Sequence, residues 1–385
     1  MIEEIPLSRP EINEDDQRAV MQVLRSGRLS IGPMIEQFES EFAELVGRRH
    51  AIGCSSGTAG LHMALLAHGI GPGDEVITTP FSFIASSNCI VYVGATPVFV
   101  DIEPKSLNMD PDLIEAAITP RTKAILAVEV FGSPAHMATY RAIADRHDLK
   151  LIEDSCEGLG GRWRDRAIGS FGHSAVFGFY PNKQITTGEG GMVVTNDDRV
   201  ADVCRALRNQ GRAPSGTAGN AGNWLHHELI GFNYRMSEIN AALGLSQIRR
   251  LDAIIERRQQ VASRYIERLM GNPELLVPTV EPETLMSWFV FVVRLRSGYS
   301  SVERDRILDG MRRHDVGCSA YFPCIHLQPC YRERFGTHEG SFPIAESASQ
   351  RTIALPFYTD MSPRDTDFAA QTLELMITRE TFSRE

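Results

Sequence analysis

The sequence predicts an α/β protein in which a large N-terminal domain, built on a mainly parallel central sheet, precedes a smaller α+β C-terminal domain. Three observations support this fold class. The 385 residues exceed what one compact domain usually contains. Strand and helix signals alternate through the N-terminal half, which is the order that parallel sheets require. The strand-like runs are apolar without alternation, as expected of strands covered on both faces.

The predicted elements begin with a helix that Gly32-Pro33 opens and Gly47 closes, and a second helix covers residues 59–67. Short apolar runs predict strands at residues 51–54, 75–78, 97–100, 123–130 and 149–154. Ligands of parallel sheets bind beyond the carboxyl ends of the strands. We therefore expect functional residues where these runs end.

The second half of the chain has a different pattern. One long helical periodicity covers residues 235–270 and suggests a helix that leads out of the first domain. An apolar run at 288–293 and a helical pattern at 302–313 follow, as in a smaller α+β domain. We therefore place the domains at residues 1–244 and 245–385, linked by the helix at 235–270.

The charge balance and the chain start exclude several classes of protein. Thirty-nine basic against 49 acidic residues give a net charge of −10, which disfavours a nucleic-acid or membrane-surface binder. The first residues lack the basic and apolar stretches of a signal peptide. Residues 76–100 carry no charge, but their prolines and polar residues favour a buried strand-helix-strand over a membrane helix. Seven scattered cysteines without Cys-x-x-Cys pairs indicate reduced thiols in a cytoplasmic protein without a metal site.

One lysine differs from the rest. The chain has 35 arginines but only four lysines, and Lys105, Lys123 and Lys150 lie in turn or strand-edge positions typical of solvent-exposed residues. Lys183 lies in the segment FYPNKQITTGEGG (residues 179–191), whose small residues would let a planar ligand approach an amine. This pattern predicts a nucleophile, and the alternative is a surface lysine in a glycine-rich hairpin.

A carboxylate ends one of the predicted buried strands. Asp154 closes the run LIED (residues 151–154) and is expected to face the ligand crevice. Beside a pyridine ring, its negative charge would keep the ring nitrogen protonated. A protonated ring is the electron sink that pyridoxal phosphate chemistry requires. The alternative is that Asp154 caps a helix beginning near Ser155.

A small polar turn, SSGTAG (residues 55–60), lies between a predicted strand and a helix. Free amides at a helix N-terminus, with the Thr58 hydroxyl, suit a phosphate. The turn is neither a Walker loop nor the dinucleotide fingerprint, which argues against a nucleotide-binding dehydrogenase. A phosphate site, an anion for a ring nitrogen and a buried amine together indicate pyridoxal phosphate.

Seven ordered blocks carry a more specific resemblance, which extends over residues 6–375. The chain resembles the DegT/StrS-type aminotransferases, pyridoxal-phosphate enzymes of the aspartate-aminotransferase fold (fold type I) that act mostly on nucleotide-linked keto-sugars. The matching blocks are residues 55–62, 80–86, 94–101, 152–155, 179–191, 231–236 and 326–329.

The resemblance implies roles for several cofactor-binding residues. Lys183 would hold the cofactor as a Schiff base, and Asp154 would face the ring nitrogen. Gly57 and Thr58 would bind the phosphate. Phe83 would stack on the ring, although an aromatic residue at such a position would by itself be assigned to the core.

Further roles follow from the same resemblance. Glu157 lies where relatives carry Gln, His or Glu near the ring hydroxyl. Asn233 would reach the phosphate of the neighbouring subunit, so that a homodimer shares its active sites. Tyr321 and His326 fall in a loop that lines the sugar site. Gly178 is a departure, since relatives commonly carry a phosphate-binding Ser there; the lost hydrogen bond is worth roughly 0.5–1.5 kcal/mol, so cofactor binding should survive.

The implied reaction is amino transfer from an amino acid, glutamate by resemblance, to a keto-sugar, with Lys183 as the general base. Arginines are expected to bind the donor carboxylate and a diphosphate, and Arg208, Arg212 and Arg235 are candidates. A dehydratase of the same family would carry His in place of Lys183. A ligand-sensing regulatory protein would not need Lys183, Asp154 and Thr58 together. Which sugar, ring position or nucleotide is used, or whether the acceptor is a cyclitol, is left open.

Overall fold

The computed structural model describes residues 4–212 and 226–382, and every structural statement below refers to these residues. Its α-helices are α1 (Glu14–Ser26), α2 (Pro33–Val46), α3 (Gly57–Ala67), α4 (Ala85–Tyr92), α5 (Pro111–Ile114), α6 (Met137–Arg146), α7 (Asp198–Arg208), α8 (Glu238–Ile248), α9 (Leu251–Leu269), α10 (Ser301–Arg312), α11 (Pro329–Phe335), α12 (Pro343–Ser349) and α13 (Pro363–Phe382). Its β-strands are β1 (His50–Cys54), β2 (Glu75–Thr78), β3 (Thr96–Phe99), β4 (Thr122–Val128), β5 (Lys150–Asp154), β6 (Arg162–Trp163), β7 (Arg166–Ala167), β8 (Ser174–Gly178), β9 (Gly191–Thr195), β10 (Leu275–Leu276), β11 (Thr284–Leu285), β12 (Phe291–Leu295) and β13 (Thr352–Leu355).

A seven-stranded sheet in the order β1-β9-β8-β5-β4-β2-β3 forms the centre of the N-terminal part. Neighbouring strands from β3 to β8 run parallel, and β9 runs antiparallel to both β8 and β1. The predicted mainly parallel α/β sheet is confirmed. The single reversal arises because β8 and β9 are the two strands of a hairpin, whose connecting loop carries residues 179–190.

The local signals in the sequence explain the ends of the predicted helices. Pro33 is the first residue of α2, and Gly47 ends it in the left-handed conformation at φ 68°, where a side chain would be strained. Ser56 caps α3 by accepting a hydrogen bond from the Ala59 N–H at 3.1 Å. The charge-free segment forms β2, α4 and β3, as predicted. None of the helices in the described part of the chain is both long and apolar enough to span a bilayer.

The predicted single helix at residues 235–270 is wrong, because the chain forms two helices with a break at Arg249 and Arg250. Helix α8 packs on α1 and α2, whereas α9 packs on α13. The Arg250 guanidinium holds the break by donating to the Glu11 and Asp16 carboxylates, both at 2.7 Å. Apolar periodicity continues across such a short break, so the sequence pattern does not reveal it. The domain boundary at residue 244 stays a prediction.

The C-terminal part contains a three-stranded antiparallel sheet in the order β10-β12-β13. Helices α10 and α13 pack against each other beside it. A second small sheet, β11-β6-β7, joins the segment before β12 to the N-terminal part. This connection brings the residues between β11 and β12 to the carboxyl ends of the central parallel strands.

Candidate active site

A cavity of about 690 Å³ lies at the carboxyl ends of the central strands. Val128, Asp154 and Gly178, the last residues of β4, β5 and β8, line its floor together with the first turn of α3. Phe289 and residues 320–323 close it from the C-terminal part of the chain. The cavity therefore lies at the carboxyl ends of the parallel strands, where the sequence predicts functional residues.

The amine of Lys183 points into this cavity. Its segment is the connection of the β8–β9 hairpin, so the chain does form a hairpin here, but the Lys183 side chain is only 15% exposed. The Nζ atom lies 3.6 Å from Glu157 Oε1 and 4.1 Å from the centre of the Phe289 ring. The alternative of a solvated surface lysine is therefore excluded.

Asp154 ends β5 and is 5% exposed. Its Oδ2 accepts a hydrogen bond from Ser86 Oγ at 2.7 Å, and its Oδ1 accepts from the Cys156 N–H at 3.3 Å. Ser86 in turn contacts Ser82 Oγ at 2.9 Å. The residues that follow Asp154 form turns, so it does not cap a helix. A carboxylate oriented by a hydroxyl network at a strand end can bind a ligand cation or N–H group.

Glu157 connects the lysine to the main chain. Its Oε2 accepts a hydrogen bond from the Phe131 N–H at 2.8 Å, and its Oε1 faces Lys183. Burial raises the pKa of Glu157 to about 7, although the Lys183 ammonium opposes this shift. Asp154 adds to the shift through like-charge repulsion. Glu157 can therefore change its protonation state near neutral pH.

A second buried carboxyl lies behind the site. Glu129 follows β4, is fully buried, and neither of its carboxyl oxygens has a hydrogen-bond partner among the described residues. Burial raises the pKa of Glu129 well above its ordinary value, and the neighbouring Glu153 raises it further. Glu153 itself accepts the N–H groups of Gly169 and Gly172 and faces Arg48 at 3.6 Å. The position of Glu129 therefore favours its neutral form.

The first turn of α3 forms a place for an anion. Ser56 Oγ accepts a hydrogen bond from the Ala59 N–H, while Gly57 and Thr58 line the cavity at the helix N-terminus. A Cβ built on Gly57 would lie 2.7 Å from Cys156 Sγ, and one on Gly178 would lie 3.3 Å from the same sulfur. The thiol of Cys156 thus fills the space beside Gly178. The Ser common in relatives would be crowded here.

Aromatic side chains form much of the remaining wall. Phe83 lines the cavity and is 61% exposed, which is unusual for a phenylalanine that serves only the core. Tyr321 also lines it and stacks on Phe322, with ring centres 5.1 Å apart and planes 6° from parallel. Both residues are therefore available to a planar ligand or a sugar.

Three predicted residues do not reach the cavity wall. His326 is fully buried and pairs with Glu346 through Nε2 and Oε1 at 2.9 Å, so the prediction that it contacts the sugar has no support from its position. The Arg235 guanidinium donates to Asn209 Oδ1 at 3.0 Å, outside the wall. Asn233 is exposed and lies outside the wall of its own chain.

The other two arginine candidates, Arg208 and Arg212, also lie outside the cavity wall. Arg208 is occupied by Gly53 O at 2.7 Å and by the Glu39 carboxylate. It therefore supports β1 rather than a substrate. Arg212 is the last described residue before the gap, and the structure does not place it at the cavity wall.

Sequence reasoning missed several residues of the wall. Ser86 supports Asp154, Cys156 fills the space beside Gly178, and Phe289 contacts Lys183. Asn182 also lines the cavity, and its buried Oδ1 has no hydrogen-bond partner. Ser86 and Asn182 lie inside blocks that the resemblance covered, so their positions gave a signal. Phe289 lies in an apolar run that predicts only a strand.

Comparison with known proteins supports a relationship over the whole fold. The model of the DegT/DnrJ/EryC1/StrS aminotransferase family matches residues 10–374. The spore coat polysaccharide biosynthesis protein SpsC of Bacillus subtilis (strain 168) is 39% identical over 367 residues, 94% of each chain. The Helicobacter pylori aminotransferase PseC, involved in pseudoaminic acid biosynthesis, has a TM-score of 0.91 at 27% identity, covering 98% of this chain and 100% of its own. Spr1654 from Streptococcus pneumoniae, assigned as a sugar aminotransferase and solved in its PLP-form, has a TM-score of 0.91 at 26% identity, covering 98% and 99%.

Proposed function

The chain belongs to the DegT/DnrJ/EryC1/StrS aminotransferase family, and we propose that it moves an amino group from glutamate to the ketone of a nucleotide-linked keto-deoxysugar, using pyridoxal phosphate bound at Lys183. As a member of this family it is a pyridoxal-phosphate-dependent sugar aminotransferase. The observation that carries the proposal is the Lys183 amine, which lies in a cavity whose floor ends in the Asp154 carboxylate.

The residues of the cavity fit this cofactor. Gly57 and Thr58 present the amide end of α3 to a phosphate, and a Cβ on Gly57 would lie only 2.7 Å from Cys156 Sγ. Asp154 would face the ring nitrogen, and the exposed ring of Phe83 would cover one face of the cofactor. When bound, pyridoxal phosphate supplies an electron sink that makes the α-proton of an amino acid removable.

The side chains of this protein then manage protons and charge. Lys183 Nζ would remove the α-proton of the donor and return a proton to the acceptor carbon. Asp154, held by Ser86, would stabilise positive charge on the ring nitrogen throughout. Glu157, whose pKa burial raises to about 7, lies 3.6 Å from the Lys183 nitrogen and would stabilise positive charge on it when Glu157 is ionised.

The cavity has the size of an ordinary small-molecule site. Its volume of about 690 Å³ lies near the middle of the range of roughly 300–1,000 Å³. SpsC is a spore coat polysaccharide biosynthesis protein, and PseC is an aminotransferase involved in pseudoaminic acid biosynthesis, so both support a sugar acceptor here. Screening keto-sugars with ¹⁵N-labelled glutamate, and locating the new C–N bond, would identify the acceptor and its ring position.

Borohydride labelling tests the assignment of Lys183. The purified protein should be yellow, and reduction should link the cofactor permanently to the peptide that contains Lys183. The Lys183→Ala variant should be colourless and inactive, whereas Lys123→Ala, a change at an exposed lysine, should behave as wild type. Label on another lysine, or a colourless wild-type protein, would contradict the proposal.

We further propose that the active enzyme is a homodimer in which Asn233 completes the phosphate site of the other subunit. The exposure of Asn233 outside its own cavity supports this role. Mixing Asn233→Ala subunits with Lys183→Ala subunits should restore up to a quarter of wild-type activity, because one site of each mixed dimer then has both residues. No restoration in dimers shown to exchange subunits would refute the shared site.

The dehydratase and the regulatory protein are the competing functions. Lys183 and Asp154 are both present and both face the cavity, which favours transamination over either alternative. Release of labelled amino-sugar distinguishes the three functions directly, since a regulator gives no turnover and a dehydratase transfers no nitrogen.

A further inference from the structure

The amine of Lys183 rests on an aromatic ring that comes from the far side of the cavity. Phe289 lies just before β12 and is 3% exposed, and the Lys183 Nζ lies 4.1 Å from its ring centre. At this distance the ring face attracts a cationic nitrogen. A lysine side chain has four rotatable bonds, so a fixed surface beside its nitrogen restricts where the amine can go.

A buried arginine fixes the backbone that carries this ring. Arg258 of α9 is 2% exposed, and its Nε donates to Trp288 O at 2.6 Å while its Nη2 donates to Phe289 O at 2.8 Å. Its Nη1 reaches Thr359 Oγ1 at 3.2 Å. Burial lowers the pKa of Arg258 to about 9, which shows how unfavourable its position is for a cation. In this unfavourable position, Arg258 donates the two hydrogen bonds that hold the carbonyl groups of Trp288 and Phe289.

The backbone at Trp288 needs such support. Trp288 has a φ of 51°, in the left-handed region that bulky residues rarely adopt. Such a conformation persists only where surrounding contacts enforce it. On the preceding residue, Ser287 Oγ accepts a hydrogen bond at 2.8 Å from Gln184, the neighbour of Lys183. Gln184 also donates to Glu157 O at 2.7 Å.

We propose that Phe289, held in place by Arg258, is a positioning residue for the lysine nitrogen, and that its ring face keeps Lys183 directed into the cavity and beside Glu157. The proposal rests on the proposed role of Lys183 in binding the cofactor. Neither Phe289 nor Arg258 is expected to contact the phosphate. The two residues act through the position of Lys183 and through the charge that its nitrogen can carry.

The test compares two buried phenylalanines in the holoenzyme. Phe289→Leu removes the ring beside Lys183, whereas the matched control Phe291→Leu removes a fully buried ring that stacks on Tyr265 at 4.9 Å instead. The midpoint of the yellow absorbance band in a pH titration should move down by about one pH unit in Phe289→Leu, because the protonated lysine-bound cofactor loses its aromatic partner. The midpoint should stay unchanged in Phe291→Leu and in the conservative variant Phe289→Tyr.

Kinetic and structural readouts complete the experiment. In Phe289→Leu we expect kcat to fall about tenfold with little change in the KM of the acceptor, since the ring positions Lys183 and not the sugar. Arg258→Met should move the absorbance midpoint in the same direction as Phe289→Leu. Equal midpoints in Phe289→Leu and Phe291→Leu would overturn the inference. If wild type fails to take borohydride label on Lys183, the proposed function fails first; labelled wild type with an unmoved midpoint refutes the positioning role alone.

Discussion

Two glutamates of this protein each face a basic side chain in the interior, yet only one of the two pairs lies in the cavity. Glu346 receives the Gly340 N–H on both oxygens, at 3.0 and 2.8 Å, and its Oε1 also accepts from the Phe342 N–H at 3.1 Å and contacts His326 at 2.9 Å. Glu157 receives one backbone N–H, and Lys183 lies 3.6 Å away.

The two pairs differ in how completely the carboxylate is satisfied. Burial opposes ionisation of Glu346, but the backbone N–H groups and His326 prevail and lower its pKa. At Glu157 burial prevails and raises the pKa to about 7. A fully bonded carboxylate stabilises a fold, whereas a partly bonded one beside a cavity can exchange protons. Chemical identity therefore does not separate the functional pair from the structural one, whereas the number of hydrogen bonds and the depth of burial together do.

The largest difference between the cavity and the buried His326–Glu346 pair should come from the variants Asp154→Asn and His326→Gln. Asp154→Asn should lower kcat by about 10²–10³-fold, because the ring nitrogen loses its opposing charge, while the melting temperature changes little. His326→Gln should lower the melting temperature but leave kcat within about twofold, because His326 is buried beside Glu346 and away from the cavity wall. Steady-state kinetics and thermal denaturation of both variants check this.

A matched control separates charge from burial. Asp101 is also a buried aspartate, but its oxygens accept the N–H groups of Ile102, Ile344 and Ala345. Asp101→Asn should therefore destabilise the fold without the loss in kcat. A large loss of turnover in His326→Gln with normal stability would instead support the prediction that His326 binds the substrate.

A smaller difference between Glu157 and Glu346 should appear in the pH dependence of stability, measured by denaturant unfolding of the cofactor-free chain. The raised pKa of Glu157 means that the folded chain binds the proton more tightly than the unfolded chain between pH 4.5 and about 7. Its contribution to the free energy of unfolding should therefore fall as the pH rises through this window. The shift in the pKa of Glu157 corresponds to about 3 kcal/mol of unfolding free energy, and the Glu157→Gln variant should lack this pH-dependent contribution.

Glu346 should behave in the opposite sense. Because its pKa is lowered from 4.5, the stabilisation that it provides is present above pH 4.5 and is lost as the pH falls below that value. The Glu346→Gln variant should therefore differ most from wild type at neutral pH. Parallel curves for the two glutamine variants would show that the two carboxylates do not differ as their contacts indicate.

Much of the N-terminal part of the chain could be predicted because its signals are local. Pro33 and Gly47 mark the ends of α2, and the run that ends at Asp154 forms β5. The two helices broken at Arg250 could not be separated, since the break depends on a bond from Arg250 to Glu11, which is 239 positions away in the sequence. The reversed direction of β9 likewise depends on the pairing of two strands and not on the pattern of either.

The candidate site divides in the same way. Asp154 and Thr58 could be identified because they lie at the end of a strand and at the start of a helix, where a parallel sheet binds its ligands. Lys183 could be identified because it is one of only four lysines and lies in a segment of small residues. Phe289 could not be identified, because nothing in the sequence of an apolar run indicates that one of its residues contacts a lysine. His326 was assigned to the sugar site from its block alone, and its burial shows why one motif does not determine which way a side chain faces.

The sequence by itself determined the α/β class, the strand and helix ends that carry polar residues, and the one lysine suited to a cofactor. These features depend on the periodicity of apolar residues and on residues whose conformational or chemical preferences are local. Only the tertiary structure decided which carboxylate is left partly unsatisfied, which histidine is buried, and which aromatic ring meets Lys183. Those outcomes depend on contacts between different elements of the fold, such as Lys183 with Phe289, and no local pattern encodes such contacts.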